Sequence, residues 1–258
     1  MVMANPNIRF LDVIRNFIFS DCKQFFSYKT LGMKILLLAI TLSCFIGSQA
    51  QIRIGVQGGY NHTRLSPNNT SSDFFSYSTS GFRGFNAGAV FEMSVSENWI
   101  FRPAILVNGK GTRLKKTGMS NTSSRFIELH YLEIPISMVR TWSAGKNSFV
   151  FAGAGLYFAG AFRGIEKGEG ISSGGPYYIY NSVEFGSHNK DNDGHPTIIK
   201  PFDYGFNLLT GFQHRNMQLL ICYGQGLERV FPKSLVFEEK FTNRVFSLSA
   251  VYFFKTGR

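Results

Sequence analysis

The sequence predicts an all-β protein, specifically an eight-stranded antiparallel up-and-down transmembrane β-barrel. Three observations lead to this fold class: an export signal, an unusually apolar composition, and alternating segments joined by alternately long and short connections. The 258-residue chain contains 27 Phe, 11 Tyr and 27 Gly, and only 17% of its residues are charged. A small soluble domain would expose too much of this apolar surface to water, whereas a membrane barrel turns it toward lipid.

The export signal lies at residues 33–51, which read MKILLLAITLSCFIGSQAQ. Lys34 gives a positive start, an apolar run follows, and Ser48 and Ala50 supply the small residues of a cleavage site. The run is shorter than the roughly 20 apolar residues that a spanning helix needs. We therefore expect export and cleavage after Ala50, with Gln51 as the first residue of the mature protein.

This signal divides the chain into three parts. Residues 33–50 are the predicted signal peptide, and residues 51–258 are the predicted outer-membrane β-barrel domain. Residues 1–32 show no sustained periodicity, and an export signal works best at an amino terminus. We interpret them as an upstream extension that arises from a start codon set too early, with a genuine amphipathic extension as the alternative.

The charge and cysteine content restrict the partners and the chemistry. The net charge is +11, but the Lys and Arg residues are scattered, and an exported chain meets headgroups and surface polysaccharide. The expected partners are outer-membrane lipids, lipopolysaccharide and envelope proteins, with no nucleic acid. Only Cys222 follows the cleavage site, which excludes an internal disulfide and a Cys-based zinc site. No cofactor is predicted.

The first four strands are predicted where large apolar residues alternate with small or polar ones. Residues 52–60 place Ile52, Ile54, Val56 and Tyr60 on one face, and residues 85–93 place Phe85, Ala87, Ala89, Phe91 and Met93 there. Residues 99–108 contribute Trp99, Phe101, Pro103, Ile105 and Val107, and residues 130–139 contribute Leu132, Ile134, Ile136 and Met138. This period of two is typical of strands with one face toward lipid.

The last four strands repeat the pattern. Residues 149–158 turn Val150, Ala152, Ala154, Leu156 and Phe158 outward, and residues 202–212 turn Phe202, Tyr204, Phe206 and Leu208 outward. Residues 217–226 contribute Leu219, Ile221 and Tyr223, and residues 245–254 contribute Phe246, Leu248, Ala250, Tyr252 and Phe254. The opposite face is rich in Gly, Ala and Ser, as the crowded interior of a narrow barrel requires. Aromatic residues near segment ends, Trp99, Trp142, Tyr157, Tyr204 and Tyr252, are predicted to form interfacial girdles.

The connections favour a membrane barrel over a soluble β-sandwich, which also alternates. Long connections at about 65–80, 110–124, 164–199 and 227–242 alternate with short ones at 97–98, 143–147 and 214–216. Such alternation is typical of extracellular loops and periplasmic turns. A sandwich has no reason to follow it.

Three stretches carry a resemblance to a known family: YLEIPI at 131–136, DYGFNLLTGF at 203–212 and NRVFSLSAVYFF at 243–254. With the signal peptide, they resemble the PorT-like outer-membrane β-barrel proteins of Bacteroidetes. The resemblance covers residues 51–254 and implies a barrel in the bacterial outer membrane. Because a few members act in protein secretion or gliding, it also implies such an apparatus as an alternative function.

Five charged residues fall on the inward face and form the predicted lumen polar network: Arg53, Glu92, Arg102, Glu133 and Asp203. Isolated charges are costly in such a space, so we expect them to pair and to fill the lumen. The alternative is a substrate or proton path. Eight strands enclose an interior only wide enough for side chains, so we predict a plugged lumen.

The loops carry the remaining candidates. A basic loop group, Lys110, Arg113, Lys115, Lys116 and Arg125, is interpreted either as a contact for lipopolysaccharide phosphates or as a solvated face. His188 and His195 flank NKDNDG, which resembles the start of a calcium loop but lacks its later Glu. We predict no metal site and no enzyme, but a structural or binding role through the loops. An enzyme acting from the loops is the remaining alternative.

Overall fold

The computed structural model describes residues 52–66, 69–71, 75–118, 122–172, 174–186, 198–232 and 240–254. All regular elements within these ranges are β-strands. None of the described segments forms a helix with the length and apolar character needed to cross a membrane. The predicted signal peptide and residues 1–32 lie outside the described residues.

Eight long strands and four short ones make up the part of the fold that the structure describes. The long strands are β1 (Ile52–Ser66), β3 (Phe75–Ser96), β4 (Trp99–Gly118), β5 (Thr122–Gly145), β6 (Ser148–Ser172), β10 (Phe202–His214), β11 (Met217–Gly226) and β12 (Thr242–Phe253). The short strands are β2 (Asn69–Ser71), β7 (Gly175–Ser182), β8 (Glu184–Phe185) and β9 (Ile198–Ile199).

The long strands are paired antiparallel in the order β1, β12, β11, β10, β6, β5, β4, β3. β1 also pairs with β3, so the succession of neighbours returns to its starting strand. The predicted all-β fold of eight antiparallel strands is confirmed. Tight turns at 97–98, 146–147 and 215–216 lie at the same end as the start of β1 and the end of β12.

Alternation sorts the side chains as the sequence predicts. On β10, Phe202, Tyr204, Phe206 and Leu208 are exposed on the outer face, whereas Asp203 and Asn207 are buried inside. The glycines of the inner face make room for rings on the facing strand. Gly205 lies opposite Tyr157 and Gly211 lies opposite Phe151, and each ring covers the glycine where a Cβ would otherwise stand.

Four consecutive strands are much longer than the alternating segments predicted. β3, β4, β5 and β6 contain 22, 20, 24 and 25 residues, whereas β10, β11 and β12 contain 13, 10 and 12. Much of the predicted loops at 110–124 and 164–199 is therefore strand, and so is the end of the loop at 65–80. The prediction was wrong there because apolar alternation stops where the strands leave lipid, while backbone pairing continues.

An apolar cluster lies at the end of the barrel away from the tight turns. Val183, Ile199, Val230, Phe231 and Phe241, which come from the connections and the short strands, pack with inward residues of the long strands. The Lys200 N–H donates to the Val230 carbonyl and the Val230 N–H donates to the Phe241 carbonyl, so two connections are joined. We call these five residues the apolar cap.

Candidate functional site

The first polar cluster of the lumen lies near the tight turns and centres on Glu92. The Arg102 guanidinium donates to Glu92 at 2.9 Å and to the Gln218 side chain at 2.6 Å. Arg53 approaches the other carboxylate oxygen of Glu92 at 3.3 Å, with its own guanidinium above the Phe253 ring at 4.2 Å. Glu92 and Arg102 are buried on the neighbouring strands β3 and β4, and the hydrogen bond from Arg102 to Gln218 on β11 crosses the interior.

A layer of uncharged amides follows above this cluster. The Asn61 amide donates to the Asn108 side chain, and the Asn86 amide donates to Asn61 at 2.7 Å. Gln57 and Ser249 both donate to the Asn86 oxygen, at 3.0 and 3.1 Å. Such a chain satisfies buried polar groups across several strands, which a packed lumen requires.

The second charged cluster lies between the amide layer and the apolar cap, and it centres on Lys110. The Lys110 ammonium is 2.8 Å from Glu133 and 3.0 Å from Asp203, and its side chain is 0% exposed. Asp203 also accepts hydrogen bonds from the Tyr157 hydroxyl at 3.2 Å and the Asn243 amide at 3.0 Å. The ammonium lies 4.4 Å from the Tyr157 ring centroid, so an aromatic wall completes its surroundings.

A small cavity lies between the two charged clusters. Its volume is ≈ 50 Å³, and Arg102, Asn108, Lys110 and Glu133 contribute to its lining. Ligand sites commonly occupy about 300–1,000 Å³, whereas a few waters need only tens of Å³. This cavity is therefore large enough for only a few waters and too small for a drug-sized ligand.

The five inward charges do not pair only among themselves. All five lie on the inner face, but both arginines form their ion pairs with Glu92 rather than with Glu133 or Asp203. The partner of these two carboxylates is Lys110, which the sequence analysis placed in the basic loop group. That assignment was wrong, since Lys110 is buried on β4. Its even spacing from Arg102 and Asn108 is the signal that would have placed it inside.

The rest of the basic loop group lies on strands rather than in a loop. Arg113, Lys115 and Lys116 belong to β4, and Arg125 belongs to β5. Arg113 and Lys115 are exposed, whereas Arg125 forms an ion pair at 3.2 Å with the buried Glu166. The group therefore does not form one surface.

Several other predicted features have defined positions. Tyr157 is buried in the lumen and is not a girdle residue. Trp99 and Trp142 are exposed near the tight turns, and the Arg140 guanidinium lies 5.9 and 5.5 Å from their ring centroids. His188, His195 and the intervening NKDNDG stretch lie outside the described residues. Among the residues that the structure does describe, no three or more His, Cys, Asp or Glu side chains are arranged to hold a metal ion.

One ion pair joins the segment between β9 and β10 to the connection between β11 and β12. The Lys200 ammonium donates to Glu228 at 2.6 Å. Partial burial works against ionisation of this carboxyl. The hydrogen bond and charge of Lys200, with further hydrogen bonds from Tyr204 and the Arg229 backbone, together outweigh it, so the pKa of Glu228 lies below its usual 4.5. The pair therefore remains charged at neutral pH.

The strand ring, the apolar outer face and the charged interior together define an outer-membrane β-barrel. Residues 48–231 match the profile of a family described as the outer membrane protein beta-barrel domain, and the chain belongs to this family. Family membership implies that the protein resides in a bacterial outer membrane. No curated protein matches the chain significantly.

The chain is similar to several solved structures, including the following three. Ail, the attachment invasion locus protein of Yersinia pestis, has 13% identity and a TM-score of 0.37, with 79% of this chain and 99% of that chain covered. Neisserial surface protein A has 14% identity and a TM-score of 0.35, with 78% and 97% covered. OprG from Pseudomonas aeruginosa has 12% identity and a TM-score of 0.44, with 79% and 96% covered.

Proposed function

We propose that the protein is a non-conducting outer-membrane barrel that acts through its extracellular sheet and loops, in a structural or binding role. The observation that carries the proposal is the set of paired charges and apolar side chains inside the strand ring. Charged clusters around Glu92 and Lys110 cross the lumen at two heights, and the apolar cap lies beyond the second. An ion would have to break both clusters and wet the cap to pass.

The energetics support a plug rather than a path. Removing one partner of a buried ion pair costs about 3–5 kcal/mol, because the remaining charge is left without compensation. Lys110 is shared by two carboxylates, so any movement that frees it exposes both. Eight-stranded barrels also have interiors that side chains fill, whereas aqueous channels occur at about 16–18 strands.

Planar-bilayer recording tests the proposal. We expect the purified full-length protein, once inserted, to show no steady conductance. Glu133→Gln removes one charge of the second charged cluster, so it should lower resistance to denaturant without producing ion-selective currents. A known open porin inserted under the same conditions is the positive control. A stable, ion-selective conductance of the unmodified protein would refute the plug and make the inward charges a permeation path.

The resemblance to PorT-like proteins supports one alternative role, in a secretion or gliding apparatus. The residues that carry it, such as 131–136 and 203–212, lie in barrel strands, so they support the fold more than any partner. Export through a cleaved signal peptide at 33–50 is part of the same proposal. Co-purification from solubilised outer membranes distinguishes the roles, since a machine component should be recovered with fixed partners.

A further inference from the structure

The long strands β3 to β6, together with β7, continue the barrel wall beyond its apolar region as a five-stranded sheet. The outer face of β4 changes from Ile105 and Val107, which are exposed and apolar, to Arg113 and Lys115, which are exposed and cationic. The same face therefore passes from the lipid region into the layer directly above it. Beyond the apolar region, this outer face meets the headgroup layer of the membrane rather than the space above the barrel mouth.

The strand register places two rows of side chains straight across this face. The first row runs Ser78, Lys115, Ser124, Glu169, Tyr178, with each residue directly opposite the next on the neighbouring strand. The second row runs Ser80, Arg113, Phe126, Lys167, Tyr180 in the same way. Directly opposed residues of antiparallel strands point to the same side of a sheet. The ten side chains therefore share one surface, which we call the outer rows.

The outer rows have a definite chemistry. They contain three cations, Arg113, Lys115 and Lys167, against one carboxylate, Glu169. Hydroxyl groups of three serines stand beside the cations. This surface includes most of the wall of a cleft of ≈ 640 Å³, to which Thr122 and Pro176 also contribute. The volume falls within the range of about 300–1,000 Å³ that is typical of ligand sites.

Two tyrosines end the outer rows on β7. Tyr178 is 82% exposed and Tyr180 is 72% exposed, and the Lys167 ammonium lies 5.6 Å from the Tyr180 ring centroid. Such rings are not buried in any core. An aromatic ring offers a flat apolar face with a polar tip, which suits a ligand that is itself partly apolar and partly hydroxylated.

From this combination we infer that the outer rows bind an acidic sugar chain, namely the phosphate- or carboxylate-bearing sugars of lipopolysaccharide in the surrounding outer leaflet. The cations match the anionic groups, and the serine hydroxyls and Glu169 match sugar hydroxyls. The tyrosine rings match the apolar faces of sugar rings. We assign these sugars to lipopolysaccharide because the face that carries the outer rows continues the lipid-facing side of the barrel. The inference rests on the proposed binding role and names its ligand class.

Titration of the purified full-length protein in detergent tests the inference, with fluorescently labelled lipopolysaccharide that carries its phosphorylated core sugars as the probe. The double variant Arg113→Gln/Lys115→Gln should bind about fivefold to tenfold more weakly, because two exposed charge contacts are lost. Added salt should reduce this difference. Lys146→Gln/Arg215→Gln removes the same charge at the tight turns and should bind like the unmodified protein.

A second pair of measurements separates sugar from lipid recognition. Tyr178→Ala/Tyr180→Ala should weaken binding of core-bearing lipopolysaccharide several-fold and leave binding of lipid A without core sugars unchanged. Heat-modifiable migration on gels checks that each variant is folded. Equal binding by the Arg113/Lys115 and Lys146/Arg215 variants would overturn the inference, as would equal affinity for lipid A with and without the sugars.

These outcomes are independent of the conductance test. A conducting barrel that still loses sugar binding in the Arg113/Lys115 variant would refute the plug and support the outer rows. A non-conducting barrel that binds lipopolysaccharide regardless of these residues would do the reverse.

Discussion

At the scale of single residues, the lumen depends on small residues placed opposite large ones. Tyr157 lies across Gly205 and Phe151 lies across Gly211, and both rings occupy the space that a side chain on the glycine would need. The Tyr157 hydroxyl also donates a hydrogen bond to Asp203, so the position of this ring contributes to the second charged cluster. Gly205 therefore influences the second charged cluster through the Tyr157 ring.

Substitution at Gly205 tests this dependence. A Cβ there would lie 2.0 Å from the Gln225 carbonyl oxygen and 2.7 Å from the Tyr157 ring, so Gly205→Ala should destabilise the protein. Overpacking of this kind costs about 1–3 kcal/mol. Urea unfolding in lipid vesicles measures the change. Gly58→Ala is the matched control, because a Cβ at Gly58 meets no atom within 4 Å and should be tolerated. Similar stabilities of the two variants would contradict the packing argument.

Lys110 is the residue whose loss should matter most in the lumen. Lys110→Met leaves Glu133 and Asp203 buried without their cation, so we expect a loss of about 3–5 kcal/mol in denaturant unfolding. The triple variant Lys110→Met/Glu133→Gln/Asp203→Asn removes all three charges and should regain part of this loss. If the single variant were as stable as the unmodified protein, the cluster would have no role in stability.

At the scale of strands, the sequence predicts the lipid-facing segments and misses their continuation beyond the lipid. The alternation of 202–212 gives the faces of β10 correctly, because most outward residues are apolar and most inward ones are small or polar, with Leu209 and Thr210 as exceptions. Above the lipid both faces of β4 carry polar side chains, so no period marks its continuation to Gly118. Lys110 was misplaced because the loop was predicted to begin where the apolar alternation stops. Its partners Glu133 and Asp203 lie on β5 and β10, and such pairing requires the strand order.

The lipid-facing strand centres allow a direct test of the membrane assignment. Arg at the outward position Leu208 should cost about 2–4 kcal/mol of stability in bilayers, because a charge near the midplane faces hydrocarbon. Ala89→Arg on β3 should behave similarly. Ser80→Arg is the control, since Ser80 is exposed on the sheet beyond the apolar region. Refolding into vesicles with urea titration provides the values, and three equal results would argue for a soluble sandwich.

At the scale of the whole barrel, the two ends have different tasks. The end with the tight turns carries Trp99 and Trp142 around Arg140, a combination that suits a membrane interface. The other end carries the apolar cap and the outer rows, which have no counterpart at the turns. Between the ends, the lumen contains the two charged clusters, the amide layer and buried apolar side chains. We therefore expect binding at the end that carries the outer rows, and no conduction through the lumen.

The unequal strand lengths give the barrel a direction within the plane of the membrane. β6 has 25 residues and β11 has 10, so the wall is high on one flank and low on the opposite one. A neighbour that approaches the high flank meets the charged sheet, whereas one that approaches the low flank reaches the rim of the mouth. A cylinder of even height would look the same from every side. This barrel instead has two different flanks, so its contacts with neighbours in a crowded membrane should depend on its rotation about the membrane normal.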